Sequence, residues 1–245
     1  MALYPHTKAI TMQRDQNHIR IGVGVYIVAT PIGNLKDITL RALEVLRLVD
    51  VVACEDTRVT KKLLAHYDIK KPLISFHEYS RAKDITRIIE LLRSQKDVAY
   101  VVDAGTPGIS DPGSWLVQEV LRALPNEKII PIPGASALSA ALSVAGLSKD
   151  QFLFLGFPPH KKGRRAFFEQ VKESKYPVVF YESPHRLLKT LSELCDIGLS
   201  MFDTVLIKEI SKVYENIYRM SIVELKNFFE KERKIRGEFV LVIHK

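Results

Sequence analysis

Three times between residues 23 and 145 an apolar run stops at a Gly/Pro-rich turn and gives way to a helix-patterned stretch, and this recurrence limits what the chain can fold into. Val23 to Ala29 runs into Thr30-Pro31-Ile32-Gly33-Asn34. Val98 to Val102 runs into Asp103-Ala104-Gly105-Thr106-Pro107-Gly108 and on to Asp111-Pro112-Gly113, and Ile129 to Ile132 into Pro133-Gly134-Ala135-Ser136-Ala137. The β-branched residues in these runs suit buried strands. Alternating strand and helix over such a length predicts an α/β fold with a largely parallel sheet, in which strand ends share one edge. Glycine has no Cβ to hold a ligand away from the backbone. The turns are therefore either well-punctuated surface loops or the parts of one ligand site.

The stretches between these turns keep the pattern. Asp37 is placed to cap a helix that carries Ile38, Ala42, Leu43, Leu46 and Val49 at helical spacing. The strand Val51 to Ala53 ends in Cys54-Glu55-Asp56-Thr57-Arg58, two acids and an arginine where open α/β sheets keep their chemistry, and equally where Asp56 or Thr57 would cap the next helix. Leu73 to Phe76 reads as a short strand before His77-Glu78-Tyr79-Ser80, and Ile85, Ile88, Ile89 and Leu92 mark an amphipathic helix. Leu116, Val120 and Leu124 carry another helix, and small residues from Ala135 to Ala145 a third.

Gly146 to Asp150 reads as a linker. Beyond it, Phe152 to Phe157 starts a second unit and leads into Pro158-Pro159-His160-Lys161-Lys162-Gly163-Arg164-Arg165. Four cations in five residues suit a mobile loop touching phosphates, or a solvated basic loop with no partner. Val178 to Tyr181 is a strand, Ser183-Pro184 a helix start, Ser221 to Glu224 a capping box, and Gly237 to Ile243 a closing strand. This half is expected to contain antiparallel pairs. The resulting division is a flexible lead over 1–20, one α/β domain over 21–147 and a second over 148–245.

The bulk properties narrow the class. Among 245 residues, 36 Lys and Arg against 28 Asp and Glu give a formal charge of +8, which favours a polyanionic partner such as RNA. Two cysteines, Cys54 and Cys195, make neither a disulfide framework nor a metal spacing, which suits a reducing compartment. No apolar run approaches membrane-spanning length and the first twenty residues hold no signal-like block, so the expected setting is the cytoplasm.

Several stretches taken together resemble the tetrapyrrole methylase superfamily, in its branch acting on small-subunit ribosomal RNA. They are TPIGNLKDITLRAL from Thr30, EDTR from Glu55, DAGTPGISDPG from Asp103, PGASA from Pro133, FYESPHRLL from Phe180, KEISKVYE from Lys208 and GEFVLVI from Gly237. The match runs in order over roughly residues 23 to 243. Members that methylate tetrapyrroles usually carry Gly-Asp-Pro in the central loop, where this chain has Gly105-Thr106-Pro107. The branch often has His-x-His-Asn where this chain reads His77 to Ser80. Some members continue past the last strand; with this chain stopping at Lys245, any RNA grip is expected elsewhere, as at Lys161 to Arg165.

The resemblance implies two α/β domains with S-adenosylmethionine in the cleft between them, a homodimer, and methyl transfer to a cytidine ribose 2′-oxygen of 16S rRNA. Carried position by position, the cofactor contacts would be Pro31, Ala104, Gly105, Thr106, Ile109, Ser136, Ala137, Glu182 and Ile210. A ribose hydroxyl must lose or share its proton to act as a nucleophile. Candidate bases are Glu55, Asp56, Asp111 and Glu182, with Arg58, Arg186 or Lys208 as positioning cations. Asp56 with Arg58 is the first choice, and Glu182 is also a cofactor contact. Lys161, Lys162, Arg164 and Arg165 are the candidate RNA contacts, and no metal is required. The alternatives are a tetrapyrrole methyltransferase, which the charge and the basic loop disfavour, and a non-catalytic RNA-binding assembly factor. A nucleotide-binding dehydrogenase lacks the G-x-G-x-x-G that should follow the first strand.

Overall fold

The computed structural model describes residues 22–77, 82–147 and 150–244. The lead over 1–20, the positions Glu78 to Ser80 and part of the expected linker lie outside the described residues. The first half of the chain comprises β1 (Val25–Val28), α1 (Leu40–Leu48), β2 (Val51–Cys54), α2 (Thr57–His66), β3 (Leu73–Ser75), α3 (Ala82–Arg93), β4 (Val98–Val101), α4 (Gly113–Ala123), β5 (Ile129–Ile132) and α5 (Ala137–Ala145). The five strands form a parallel sheet in the order β3-β2-β4-β1-β5. β1 thus lies between β4 and β5, so the three strands that end in Gly/Pro turns are neighbours and release their turns along one edge.

Burial explains why these strands read as continuous apolar runs. Alternate residues face opposite sides of a sheet, and here both sides are covered. Tyr26, Val28, Val52, Ala99 and Val101 pack under Ala42, Val45 and Leu46 of α1 and Leu64 of α2. Val25, Ala53, Val98, Tyr100 and Val102 pack under Ile85, Ile88 and Leu92 of α3 and Leu116 and Val120 of α4.

The second half comprises β6 (Leu153–Phe154), α6 (Arg164–Glu173), β7 (Val178–Glu182), α7 (Leu187–Asp196), β8 (Asp203–Lys208), β9 (Asn216–Ser221), α8 (Ile222–Glu230) and β10 (Phe239–Ile243). Its sheet has the order β6-β7-β10-β8-β9, with β6 and β7 parallel and the remaining pairs antiparallel, in keeping with the mixed character expected from sequence. Helices α6, α7 and α8 cover one face through residues such as Phe168, Leu191 and Phe229. The other face, with Val179, Val205, Ile207 and Val240, receives Ala141 and Ala145 of α5. A helix that precedes the linker in sequence therefore packs on the second sheet, and its run of alanines allows the close approach. Arg219 adds a hydrogen bond to the Val144 carbonyl (2.6 Å), and the Ser211 hydroxyl donates to Asp37.

Several local expectations are corrected. Asp37 does not cap α1: it ends a short 3-10 turn capped by Asn34, and the Thr39 side chain accepts the Ala42 N–H instead. Ser183 does not open α7, because its N–H is held by Glu182 and its hydroxyl by Arg186, and the helix starts only at Leu187. The strand after the linker is two residues long, since the Gly156 carbonyl then turns to accept the Tyr181 N–H. The basic run is not wholly loop, for Arg164 and Arg165 form the first turn of α6 after Gly163. The capping box Ser221/Glu224 is present with both hydrogen bonds.

Candidate functional site

The three turns are stitched into one wall. Thr30 and Gly105 exchange backbone hydrogen bonds (2.9 and 3.1 Å), and the buried Thr30 hydroxyl donates to the Val102 carbonyl (3.0 Å). These bonds join the end of β1 to the loop after β4. The Thr106 hydroxyl donates to the Ala135 carbonyl (3.0 Å), which joins that loop to the turn after β5. Glycine is needed twice for this approach. Gly105 sits at φ +90°, a region that L side chains rarely enter, and a Cβ there would lie 3.3 Å from Ile32 Cγ2. A Cβ on Gly134 would lie 2.9 Å from the Ala29 Cβ, closer than carbon atoms pack.

This wall faces a cavity of about 560 Å³ whose opposite side is the second half of the chain. Of the residues expected at a cofactor, Ala104, Gly105, Thr106, Ile109, Ser136, Ala137, Glu182 and Ile210 line it. Pro31 does not; it is buried, and Ile32 takes its place at the surface of the cavity. Ser136 also caps α5, so the helix N-terminus is directed at the same space. On the opposite side the half-exposed Phe157 ring leans on Tyr181 at 5.2 Å, and Tyr181 in turn meets Phe154 edge-on at 5.1 Å. The cavity thus has one wall rich in backbone groups and small residues and one that is aromatic, a combination suited to an amphipathic small molecule.

The acids divide sharply by environment. Asp56, the first-choice base, caps α2 through the Arg58 N–H (2.8 Å) and is clasped by the Arg58 guanidinium (2.5 Å). The Arg58 hydrogen bonds hold its carboxyl well below the usual range, at about 2, and neither residue lines the cavity. That makes Asp56 a weak proton acceptor outside the cavity lining. Asp111 lines the cavity but is consumed by its own loop, accepting the backbone N–H groups of Gly108, Ile109 and Gly113. Glu55 and Asp103 line the cavity together. Burial is the first cause raising the carboxyl of each; Glu55 is further raised by the charges of Asp103 and Asp111, Asp103 by that of Asp56.

Glu182, a catalytic candidate and an expected cofactor contact, is engaged within the protein. Its carboxylate is fully buried: one oxygen accepts from the Ser183 N–H (2.7 Å) and forms an ion pair with Arg186 Nε (3.1 Å), the other accepts from the Thr190 hydroxyl (2.5 Å), with the Arg164 guanidinium at 3.9 Å. It borders the cavity with both oxygens already engaged by protein groups. Arg164, an expected RNA contact, is only 5% exposed. It bonds Glu193 (2.7 Å), Thr190 (2.6 Å) and the Pro159 carbonyl (3.1 Å), and lies over the Phe168 ring. Arg186 holds the Pro158 carbonyl (2.8 Å). The cluster therefore fastens the loop that carries Phe157. Lys161, Lys162 and Arg165 remain exposed, and Lys161 and Arg165 border an open groove along α6, away from the cavity.

Reading residues singly passed over Ile32, Asp103, Phe157 and Tyr181, which also line the cavity. For Asp103 a signal existed, since it is the first residue after a strand that leads into a glycine turn. For Phe157 the signal was weaker, an aromatic before two prolines.

A family model described as tetrapyrrole (corrin/porphyrin) methylases matches residues 24–226. The chain is 44% identical over 221 residues to the ribosomal RNA small subunit methyltransferase I of Pseudomonas aeruginosa, covering 89% of this chain and 78% of that protein. It is 43% identical over 217 residues to the protein of the same name from Thermotoga maritima, covering 89% of this chain and 96% of that one. Among solved structures, the uroporphyrin-III C-methyltransferase of Thermus thermophilus complexed with S-adenosylhomocysteine superposes with a TM-score of 0.61 at 18% identity, over 91% of this chain and 97% of that one.

Proposed function

The chain belongs to the tetrapyrrole (corrin/porphyrin) methylase family, and on that premise we propose that it transfers a methyl group from S-adenosylmethionine to small-subunit ribosomal RNA, at the ribose 2′-oxygen of a cytidine. The observation that carries this reading is the stitched wall of Gly105, Thr106 and Ser136 facing an aromatic wall across one cavity. The fit to the cofactor rests on this chain's own geometry: Gly105, at φ +90° and close against Ile32, lets backbone line the cavity, and the space suits a ligand of that size. When bound, the cofactor supplies an activated sulfonium methyl. The protein's part is to hold the two reactants in line, exclude water and receive one proton.

The residues divide those tasks. Ala104 to Thr106, Ile109, Ser136, Ala137 and Ile210 hold the cofactor, largely through backbone and small side chains. Lys161, Lys162 and Arg165 meet RNA phosphates outside the cavity. The two sheets are read as two domains, 21–147 and 148–245, with α5 as the tie between them. The active form is a homodimer working in the cytoplasm. A tetrapyrrole substrate is disfavoured: relatives above 40% identity carry the ribosomal RNA name, while solved uroporphyrin-III and cobalt precorrin-4 methyltransferases share only 18–20%.

Labelled methyl from S-adenosylmethionine is expected to reach small ribosomal subunits that lack the mark, with nuclease digestion locating it on a 2′-O-methylcytidine, and not to reach free tetrapyrrole. Label in the tetrapyrrole alone would overturn the reading. Cofactor binding with no transfer to either acceptor would favour the assembly-factor alternative. Sedimentation of the pure protein tests the dimer.

A further inference from the structure

Among the described residues Glu55 is the cavity carboxylate that the protein engages least, and we propose that it is the general base that takes the proton of the ribose hydroxyl, an assignment that rests on the functional reading above. Among the described residues that line the cavity there is no lysine, arginine or histidine, so a proton acceptor there has to be one of the acids Glu55, Asp103, Asp111, Glu182 or Glu238. Four of them are already engaged. Asp111 holds three backbone N–H groups, and Glu182 is buried among Ser183, Arg186 and Thr190. Glu238 pairs with the Lys212 ammonium at 3.0 Å. Asp103 accepts the Asp56 N–H (3.2 Å) and feels the Arg58 charge. Among the described residues Glu55 accepts from the Asp103 backbone and feels the charge of His77, and no lysine or arginine forms an ion pair with it.

Its position follows from the fold. Glu55 directly follows β2, next to β4 in the sheet, so it leaves the same edge as the Asp103 to Gly108 loop. A half-buried carboxylate with an unspent oxygen can accept a proton that a solvated one would leave to water. The groups around it add to its basicity: burial acts first, then the negative charges of Asp103 and Asp111, opposed by the Asp103 N–H and by His77 beyond β3. Tyr100 of β4 and Cys54 of β2 complete the surroundings, and burial raises both, so they stay protonated and neutral at pH 7. The step balances: the hydroxyl oxygen gains the methyl carbon, its proton passes to a Glu55 carboxylate oxygen, and the donor sulfur keeps the pair of the broken S–C bond as a neutral thioether.

The test is Glu55→Gln, nearly equal in shape, in the full-length protein with small subunits as acceptor. Single-turnover methyl transfer is expected to fall by about a hundredfold or more while S-adenosylmethionine affinity by calorimetry stays within about twofold. In the wild type the rate should rise with pH through the midpoint of Glu55, above the ordinary glutamate range, and Asp103→Asn should move that midpoint down by removing a neighbouring negative charge. A readout independent of activity is the side-chain carboxyl ¹³C titration of the cofactor-free protein. One glutamate resonance, missing in Glu55→Gln, should titrate late and shift earlier in Asp103→Asn. Activity within a few-fold of wild type in Glu55→Gln, cofactor affinity lost in parallel with rate, or an ordinary midpoint for that resonance would each overturn the assignment. A wild type that methylates no subunit would instead bring down the functional reading and this proposal with it, a pattern distinct from an active wild type with an active variant.

Discussion

Asp56 and Arg58 meet on the exposed first turn of α2, whereas Glu182, Arg164 and Arg186 meet beneath the loop after β6, with side chains no more than 15% exposed. In sequence the two clusters look interchangeable, each an acid and an arginine at the end of a strand. Their environments separate them. The surface pair is solvated, and such pairs add little to stability. In the buried cluster every carboxylate oxygen and most guanidinium nitrogens have protein partners, which offsets the large cost of removing charge from water. Its output is geometric, because the Pro158 and Pro159 carbonyls are two of those partners and fix the loop that presents Phe157 to the cavity. An acid–arginine motif is thus no index of catalysis until its burial and hydrogen bonds are known.

The strongest way to break this comparison is Glu182→Ala. Removing the carboxylate strands Arg164, Arg186 and Thr190 in the interior, and urea unfolding should show a loss of about 3–5 kcal/mol. Cofactor affinity and methyl transfer should fall with the loosened loop. A variant as stable as wild type but inactive would return Glu182 to the chemistry.

What the sequence made legible follows from which forces are local. Strand ends and turns are written in nearby residues, so the three Gly/Pro turns could be read directly; that they are neighbours depends on β1 lying between β4 and β5, which no short segment encodes. The DAGTP, PGASA and KEIS stretches carry residues that line the cavity, and in the first two close backbone approach favours Gly, Ala and Ser. At the first turn the chain buries Pro31, and the next residue, Ile32, lines the cavity. Side-chain commitments were the least legible. Arg164 reads as part of a basic run because its partners, Glu182 and Glu193, lie 18 and 29 positions further on. Asp56 reads as a base because nothing local says whether a capping residue faces the cavity or solvent.

A smaller effect separates two adjacent arginines. Arg164→Ala should cost about 2–3 kcal/mol, the scale of hydrogen bonds to charged groups, and weaken RNA binding only as far as it unfolds α6. Arg165, whose side chain is 94% exposed, should show the reverse. Its replacement by Ala should change stability by less than about 0.5 kcal/mol and reduce the salt slope of rRNA binding by about one. Equal stability losses would mean that the burial of Arg164 does not hold in solution.

The smallest effect is expected at Asp56. Replacement by Ala removes the α2 cap and the Arg58 pair but nothing that faces the cavity, so methyl transfer should stay near the wild-type rate. The stability difference has a definite pH course. Arg58 depresses the folded carboxyl to about 2, below the unfolded value of about 3.9, so the ionised form is favoured by folding. That part of the wild-type advantage should be complete above about pH 4 and vanish as the pH falls through about 2, and added salt should shrink it at neutral pH. Urea titrations of both proteins between these limits measure it. A large rate loss in Asp56→Ala with this pH course intact would mean that the exposed cluster also reaches the reacting atoms, and the contrast with the buried one would fail.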